Sequence, residues 1–166
     1  YPVLCVSSDS FGLFDFDSGI YVPGIEWRKD SLTWWPRGNY HLKGVEWERP
    51  ASLAYFDKEG VVQWEADAGI RIRGNGSAVM PQKSFTIFFK NKYGLDQLEY
   101  PLFGEENTTK AKRFVLRNSG GDFINTHFKD ACLQSLLSPL DMDLQEFQPV
   151  IVFLDGEYWG IYNMRE

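Results

Sequence analysis

The residues with the clearest chemical potential surround one glycine-rich loop. Arg71-Ile72-Arg73 alternates as a strand does, Gly74-Asn75-Gly76-Ser77 follows, and Lys83 opens the next apolar run. Glycine lets backbone N–H groups approach an anion closely, and lysine and arginine supply positive charge for a phosphate. Glycine-rich hairpins are common and most strand lysines face water. The spacing alone therefore leaves two interpretations open, a phosphate-binding loop or an ordinary hairpin.

No other stretch predicts a catalytic or metal-binding cluster. His41 and His127 each stand alone, without a partner at the spacing of a metal site or a catalytic triad. Cys5 and Cys132 are too few for a disulfide framework, and both lie in apolar patterns. We therefore expect two buried free thiols, with a single disulfide bridge as the alternative.

A second class of function is a non-catalytic binding module. Trp34-Trp35 lies in a segment flanked by proline and glycine, where two exposed rings would form a platform for a glycan or a partner protein. Aromatic residues in a strand-rich domain are more often part of the core. The two tryptophans therefore predict either a binding platform or core packing.

The composition limits which partners are reasonable. The chain has 166 residues, a net charge of −6 and 16% aromatic residues. This length suits one domain over residues 1–166, and the negative charge argues against nucleic acid or an anionic lipid surface as the main partner. No apolar run is long enough to span a membrane, and the first residues do not resemble a signal peptide. Because the sequence begins without Met, we expect a fragment or a processed region of a longer protein.

Alternating apolar residues predict the strands that position the glycine-rich loop. The expected strands are Pro2–Val6, Gly12–Phe16, Ile20–Val22, Ala51–Phe56, Val61–Glu65, Ala68–Arg73, Lys83–Lys90, Phe114–Leu116, Pro149–Leu154 and Glu157–Asn163. The strands Ala68–Arg73 and Lys83–Lys90 should pair as one hairpin, with the loop between them over a shallow basic site. The Asp155-Gly156 dipeptide predicts a second tight hairpin near the end of the chain.

One amphipathic helix is predicted over Phe123–Leu137. Asp122 is the expected N-cap, and Pro139 ends the helix. Phe128, Cys132 and Leu136 recur at every fourth position and should form the buried face. The sequence therefore predicts an α+β domain, an antiparallel β-rich lobe with one main helix packed on the sheet.

Several segments resemble the spore coat protein H (CotH) kinase family, in the same order along the chain. They are Leu13-Phe14-Asp15, Gly19-Ile20-Tyr21-Val22, Glu46-Trp47-Glu48-Arg49-Pro50-Ala51-Ser52-Leu53, Ala68-Gly69-Ile70-Arg71-Ile72-Arg73-Gly74, Pro81-Gln82-Lys83-Ser84-Phe85, Tyr100-Pro101-Leu102-Phe103-Gly104 and Gly156-Glu157-Tyr158-Trp159-Gly160-Ile161-Tyr162-Asn163-Met164-Arg165-Glu166. The resemblance implies an atypical kinase-like fold that transfers the γ-phosphate of ATP to protein hydroxyls with Mg²⁺ or Mn²⁺. It also implies that the chain is the amino-terminal part of an extracellular or cell-envelope protein.

The resemblance assigns roles to individual residues. Lys83 would contact phosphate, with Arg71, Arg73, Gly74, Gly76 and Ser77 completing the nucleotide site and Glu166 on the side of the interlobe linker. In kinases a helix carboxylate holds the lysine at the phosphates. The predicted helix contains no Glu, so Asp130 is the only carboxylate inside it that could pair with Lys83.

The family's metal-binding and catalytic aspartates are expected after the motif that ends at Glu166. We therefore assign no catalytic residue and no metal ligand within residues 1–166. A single exposed ammonium contributes little affinity in water. The chain alone should therefore bind ATP weakly and should not transfer phosphate.

Overall fold

The computed structural model describes residues 1–27, 36–104, 109–140 and 142–166. Its strands and α-helices, in chain order, are β1 (Val3–Ser8), α1 (Ser10–Phe14), β2 (Arg49–Phe56), β3 (Val62–Arg73), β4 (Ser84–Phe88), β5 (Leu98–Tyr100), β6 (Thr109–Ala111), β7 (Arg113–Arg117), α2 (Lys129–Leu137), β8 (Phe147–Leu154) and β9 (Glu157–Arg165). Short 3₁₀ helices include Gly24–Glu26, Asn39–His41, Val45–Trp47 and Gly76–Val79. None of the helices described has the length and apolar character needed to cross a bilayer.

Seven strands close into a barrel in the order β1-β2-β3-β4-β7-β9-β8. Neighbouring strands are antiparallel except β1 and β8, which pair in parallel and complete the ring. The α+β class and the mostly antiparallel sheet are thus confirmed. The closure, and the separate two-stranded sheet of β5 and β6, were not expected from the sequence.

Alternation along the strands separates the two faces of the barrel wall. The inward side chains form one apolar cluster that includes Leu53, Tyr55, Ile70, Ile72, Phe85, Ile87, Phe114, Leu116, Tyr162 and Met164. The residues between them therefore point outward. The same alternation decides whether Lys83 and Arg71 point into the barrel or outward.

The central hairpin forms as predicted. β3 pairs with β4 in antiparallel register from Gly69 opposite Phe88 to Arg73 opposite Ser84. The prediction of two strands, Val61–Glu65 and Ala68–Arg73, is wrong. The residues between them continue the ladder with β2, so β3 is one strand.

Two short strands predicted near the start of the chain are absent. The segment Gly12–Phe16 lies mostly in α1, because the Asp9 side chain caps the helix by accepting from Phe11 N at 3.1 Å. Ile20–Val22 forms no strand. The N–H groups of Ile20 and Tyr21 donate to carbonyls of the α1 segment, and both side chains are buried.

The main helix begins six residues later than predicted. His127 has a left-handed φ of 63°, which a continuous helix from Phe123 cannot contain. Asp122 is not the N-cap residue of α2, but its carboxylate accepts from the backbone N–H of Lys129, the first helical residue, at 3.1 Å. The carboxylate therefore caps the helix from outside it.

The predicted buried face of α2 is wrong. Phe128 and Leu136 are 56% and 70% exposed, whereas Ala131 is 1% exposed. Both cysteines are free, as expected, but Cys132 is exposed and Cys5 is half-buried. The buried side of the helix is therefore that of the small residue Ala131, and Asp130 joins the helix to the barrel by ion pairs with Arg117 and Arg165.

Candidate functional site

Lys83 lies at one end of the barrel interior and is 5% exposed. Its ammonium donates to the carbonyl oxygens of Ala78 and Met80, at 2.7 and 3.0 Å. The same nitrogen lies 4.1 Å from the ring centre of Tyr40 and 5.3 Å from that of Tyr21. Carbonyl oxygens and aromatic faces thus surround the charge.

No carboxylate among the described residues forms an ion pair with Lys83. Burial lowers the pKa of Lys83 to about 8, because low polarity disfavours the charged amine. A phosphate beside the amine would favour the charged form. The site therefore holds a cation whose charge is not balanced by an acid.

Buried hydroxyl groups fix the backbone at Lys83. Tyr21 Oη accepts from Lys83 N at 2.9 Å and from Trp159 Nε1 at 3.0 Å, and it donates to Pro81 O at 2.8 Å. Tyr162 Oη donates to Lys83 O at 2.9 Å. Strand β9 and the segment after α1 therefore hold the start of β4 in place.

The glycine-rich loop is held by two further side chains that donate to its carbonyl groups. Lys43 Nζ donates to Ile72 O at 3.1 Å and to Gly74 O at 3.4 Å. His41 Nε2 donates to Asn75 O at 3.0 Å, while its Nδ1 accepts from Gly38 N at 3.3 Å. This pair of roles fits a neutral imidazole. The carbonyl groups of Gly74, Asn75, Ala78 and Met80 thus accept from an ammonium or from the imidazole N–H.

The electrostatic environment of the loop is positive. Desolvation of the ammonium lowers the pKa of Lys43, and repulsion from Arg71 and Arg73 lowers it further. Burial lowers the pKa of His41, and the charges of Lys43, Arg37 and Lys83 act in the same direction, although the Asn75 carbonyl opposes them. Like charges are crowded here in a chain whose net charge is −6. Such crowding favours an anionic ligand.

The structure places Arg71 and Arg73 on the opposite face of the sheet from Lys83. Arg71 points outward, donates to Gly44 O at 3.1 Å and lies 4.9 Å from the ring centre of Phe88, while Arg73 is exposed. Lys83 shares the inner face with Phe85, since the Tyr21 ring contacts both. Lys83 on the inner face and the two arginines on the outer face therefore approach each other only around the glycine-rich loop.

Asp130 does not hold Lys83. Its Oδ2 lies 2.9 Å from Arg165 Nη2 and 3.4 Å from Arg117 Nε, and both arginines occupy outward positions of the barrel wall. The lysine and the helix carboxylate therefore lie on opposite sides of the wall. Carbonyl groups take the place beside Lys83 that the kinase comparison assigned to Asp130.

The remaining predicted site residues are spread more widely. Gly74 needs its left-handed φ of 117°, and a Cβ there would lie 2.4 Å from Ser77 Oγ. Gly76 opens the 3₁₀ turn that contains Ser77. Glu166 is exposed, and its carbonyl accepts from Gln145 Nε2 at 2.8 Å. No recorded contact in the described parts of the chain joins Glu166 to the loop.

The sequence did not reveal Lys43, His41, Tyr40 or Tyr21 as parts of this site. Three of them lie in the irregular region between Pro23 and Pro50, where no periodic pattern shows which side chain turns inward. The buried tyrosines are instead consistent with the general aromatic enrichment. The predicted pairing of β3 with β4 places the loop and Lys83. Nothing in the sequence indicated that these four residues contact them.

Trp34-Trp35, the proposed glycan or protein platform, lies outside the described residues. Across the ranges that are described, no three His, Cys, Asp or Glu side chains converge as metal ligands.

Comparison with known proteins gives one family match. The model of the CotH kinase protein family matches residues 70–166, a region that includes the loop, Lys83, α2 and the final hairpin. No curated protein matches the chain.

Proposed function

The chain belongs to the CotH kinase protein family, and from this we propose that it is the amino-terminal, nucleotide-binding lobe of an atypical protein kinase. The proposed reaction is transfer of the γ-phosphate of ATP to protein hydroxyls. We further propose that the parent protein works outside the cell or in the cell envelope, as the family resemblance implies.

The observation that carries the proposal is the set of cations around one loop. Lys83 and Lys43 both bind loop carbonyls, and Arg71 and Arg73 lie near Lys43 on the outer face. None of these four side chains forms an ion pair with a carboxylate of the described residues. Phosphate groups supply the missing negative charge.

The proposal assigns the third donor of the Lys83 ammonium to a phosphate oxygen of ATP. An ammonium has three donors, and Lys83 uses two of them on Ala78 and Met80, which leaves one for a phosphate oxygen. The hydrogen bonds of Tyr21 and Tyr162 to the Lys83 backbone would hold the amine in position for the nucleotide. ATP itself supplies the transferable phosphoryl group, and the role of Lys83 is to bind and orient it.

Mg²⁺ or Mn²⁺ does not fit the described residues, because no set of three ligand side chains converges among them. We assign no catalytic step to this chain. The 166-residue chain should bind ATP weakly and should not transfer phosphate by itself. Phosphate transfer by the 166-residue chain alone would contradict the assignment of no metal site to it.

The test uses the full-length gene product that contains this chain. We compare Lys83→Met with Lys58→Met, whose side chain is 75% exposed in a turn remote from the loop. Labelled γ-phosphate transfer and ATP binding by calorimetry should be retained in Lys58→Met. In Lys83→Met, ATP affinity should fall by about tenfold or more, as expected for a lost charged contact. Equal ATP binding by the two variants would reject Lys83 as a phosphate ligand.

A further inference from the structure

A second cationic site lies on the outer face of the barrel, in the loop between β7 and α2. Arg117 ends β7, Gly120-Gly121 follows, and Asp130 lies in the first turn of α2. The guanidinium of Arg165, from β9, completes the cluster. Of these residues, the sequence indicated a candidate role for Asp130 alone.

Two guanidinium groups share one carboxylate in this cluster. Arg165 is 1% exposed and lies 2.9 Å from Asp130, so this carboxylate mainly compensates the buried arginine. Arg117 Nε is 3.4 Å from the same oxygen but makes no hydrogen bond. No other carboxylate in the described ranges pairs with Arg117. The cluster therefore has one positive charge in excess.

The space beside Arg117 is open. Its side chain is 42% exposed. A Cβ added to Gly120 would meet only Arg117 Nη2, at 3.5 Å, and one added to Gly121 would meet nothing within 4 Å. A ligand can therefore lie against both the guanidinium and a backbone without side chains. A guanidinium presents a planar set of N–H donors that matches a phosphate or a carboxylate.

The loop is also held in a strained conformation. Ser119 and His127 have left-handed φ values of 68° and 63°. The only other non-glycine residue with positive φ in the described ranges is Asp155, in the β8–β9 turn. Asn163 Nδ2 donates to His127 O at 2.7 Å, and Ser119 Oγ donates to the same oxygen. Strain of this kind concentrates at binding sites.

The N–H of Gly120 donates to Asn118 Oδ1 at 3.0 Å, so it is not available to a ligand. We propose that Arg117 and the backbone N–H of Gly121 bind an oxyanion, the phosphate or carboxylate group of a second molecule. Asp130 compensates Arg165, and the ligand compensates Arg117. Asn163 and Ser119 position the loop without touching the ligand. The site is distinct from the nucleotide site, because Lys83 lies on the other side of the barrel wall. Asn118 joins the two loops, since its Oδ1 accepts from Gly120 N and its Nδ2 donates to Gln82 O at 2.6 Å.

The test is an NMR titration of the labelled 166-residue chain, with inorganic phosphate in one series and acetate in another. Sodium chloride controls for ionic strength. The amide signals of Gly120 and Gly121 and the side-chain signal of Arg117 should shift and saturate. Arg117→Gln should weaken binding by about tenfold, as expected for the loss of a charged donor pair. Arg113→Gln, an exposed position four residues earlier on the same outer face, should bind normally.

Tighter binding of phosphate would identify the ligand as a phosphate group, and tighter binding of acetate would identify it as a carboxylate. Both results support the oxyanion site. The proposal is overturned if neither anion gives saturable shifts at Gly120 and Gly121, or if Arg117→Gln binds as well as Arg113→Gln. A shift that appears only at Gly74–Ser77 also overturns it, since that result belongs to the nucleotide site.

Discussion

The inner and outer sides of the barrel wall stabilise charge in different ways. On the inner side, Lys83 is surrounded by two carbonyl oxygens and two aromatic rings, without a carboxylate among the described residues. On the outer side, Asp130 lies between Arg117 and Arg165. Dipoles and ring faces leave the net charge of the lysine in place, whereas a carboxylate cancels one of the two guanidinium charges.

The barrel wall separates Lys83 from Asp130, the two residues that the family resemblance would pair. In the usual arrangement a helix carboxylate holds the lysine at the phosphates. Here the Asp130 carboxylate pairs with Arg117 and Arg165, and the Lys83 ammonium donates to carbonyl groups of the loop. Under the proposed function, a phosphate that binds Lys83 would not compete with an acidic side chain of the described residues.

The largest effect should distinguish the packed interior of the barrel from the exposed helix outside it. Phe114 is fully buried against Trp64 and Phe89, so Phe114→Ala should lower the free energy of unfolding by about 3–5 kcal/mol. Leu136 is 70% exposed, so Leu136→Ala should change it by less than about 0.5 kcal/mol. Urea denaturation of both variants measures the difference.

A loss of several kcal/mol in Leu136→Ala would contradict the exposed position of this side chain. It would show that α2 packs with the face predicted from the sequence. Lys129→Ala, also exposed at the start of α2, serves as the neutral control.

A smaller effect should test the outer ion cluster. Asp130→Asn leaves Arg165 buried without a carboxylate, which destabilises the chain by up to about 3 kcal/mol, the low end for a broken buried pair because Asp130 is itself partly exposed. The control is Asp96→Asn, whose exposed pair with Lys112 at 3.9 Å should contribute less than about 1 kcal/mol. Thermal unfolding in low salt compares them. Equal shifts in Tm would mean that Asp130 does not compensate Arg165.

The sequence predicted the strands better than it predicted their closure. Strict alternation identified β4, β9 and the second half of β3, and with them the two hairpins, because one face of each strand is apolar. Closure depends on the parallel pairing of β1 with β8, residues that are far apart in the chain. No local pattern reports such a pairing.

The helix shows where periodicity misleads. Phe128, Cys132 and Leu136 have the spacing of a buried face, yet Ala131 is the buried residue of the helix and Asp130 pairs with Arg165 of the barrel. Spacing identifies residues on one face but not which face the rest of the fold covers. The candidate site shows the same limit: Lys83 and the loop were identified by type and spacing, whereas Lys43 and His41 reach the loop from an irregular segment.

The most direct test of the central claim is the pKa of Lys83, measured by carbon NMR at its Cε in the full-length gene product with and without ATP. A buried amine without a carboxylate should titrate at about 8 in the absence of nucleotide. Bound ATP should raise this pKa by about one unit or more, because a neighbouring phosphate favours the charged amine. A pKa near the ordinary lysine value of about 10.4 that ATP does not change would contradict the account.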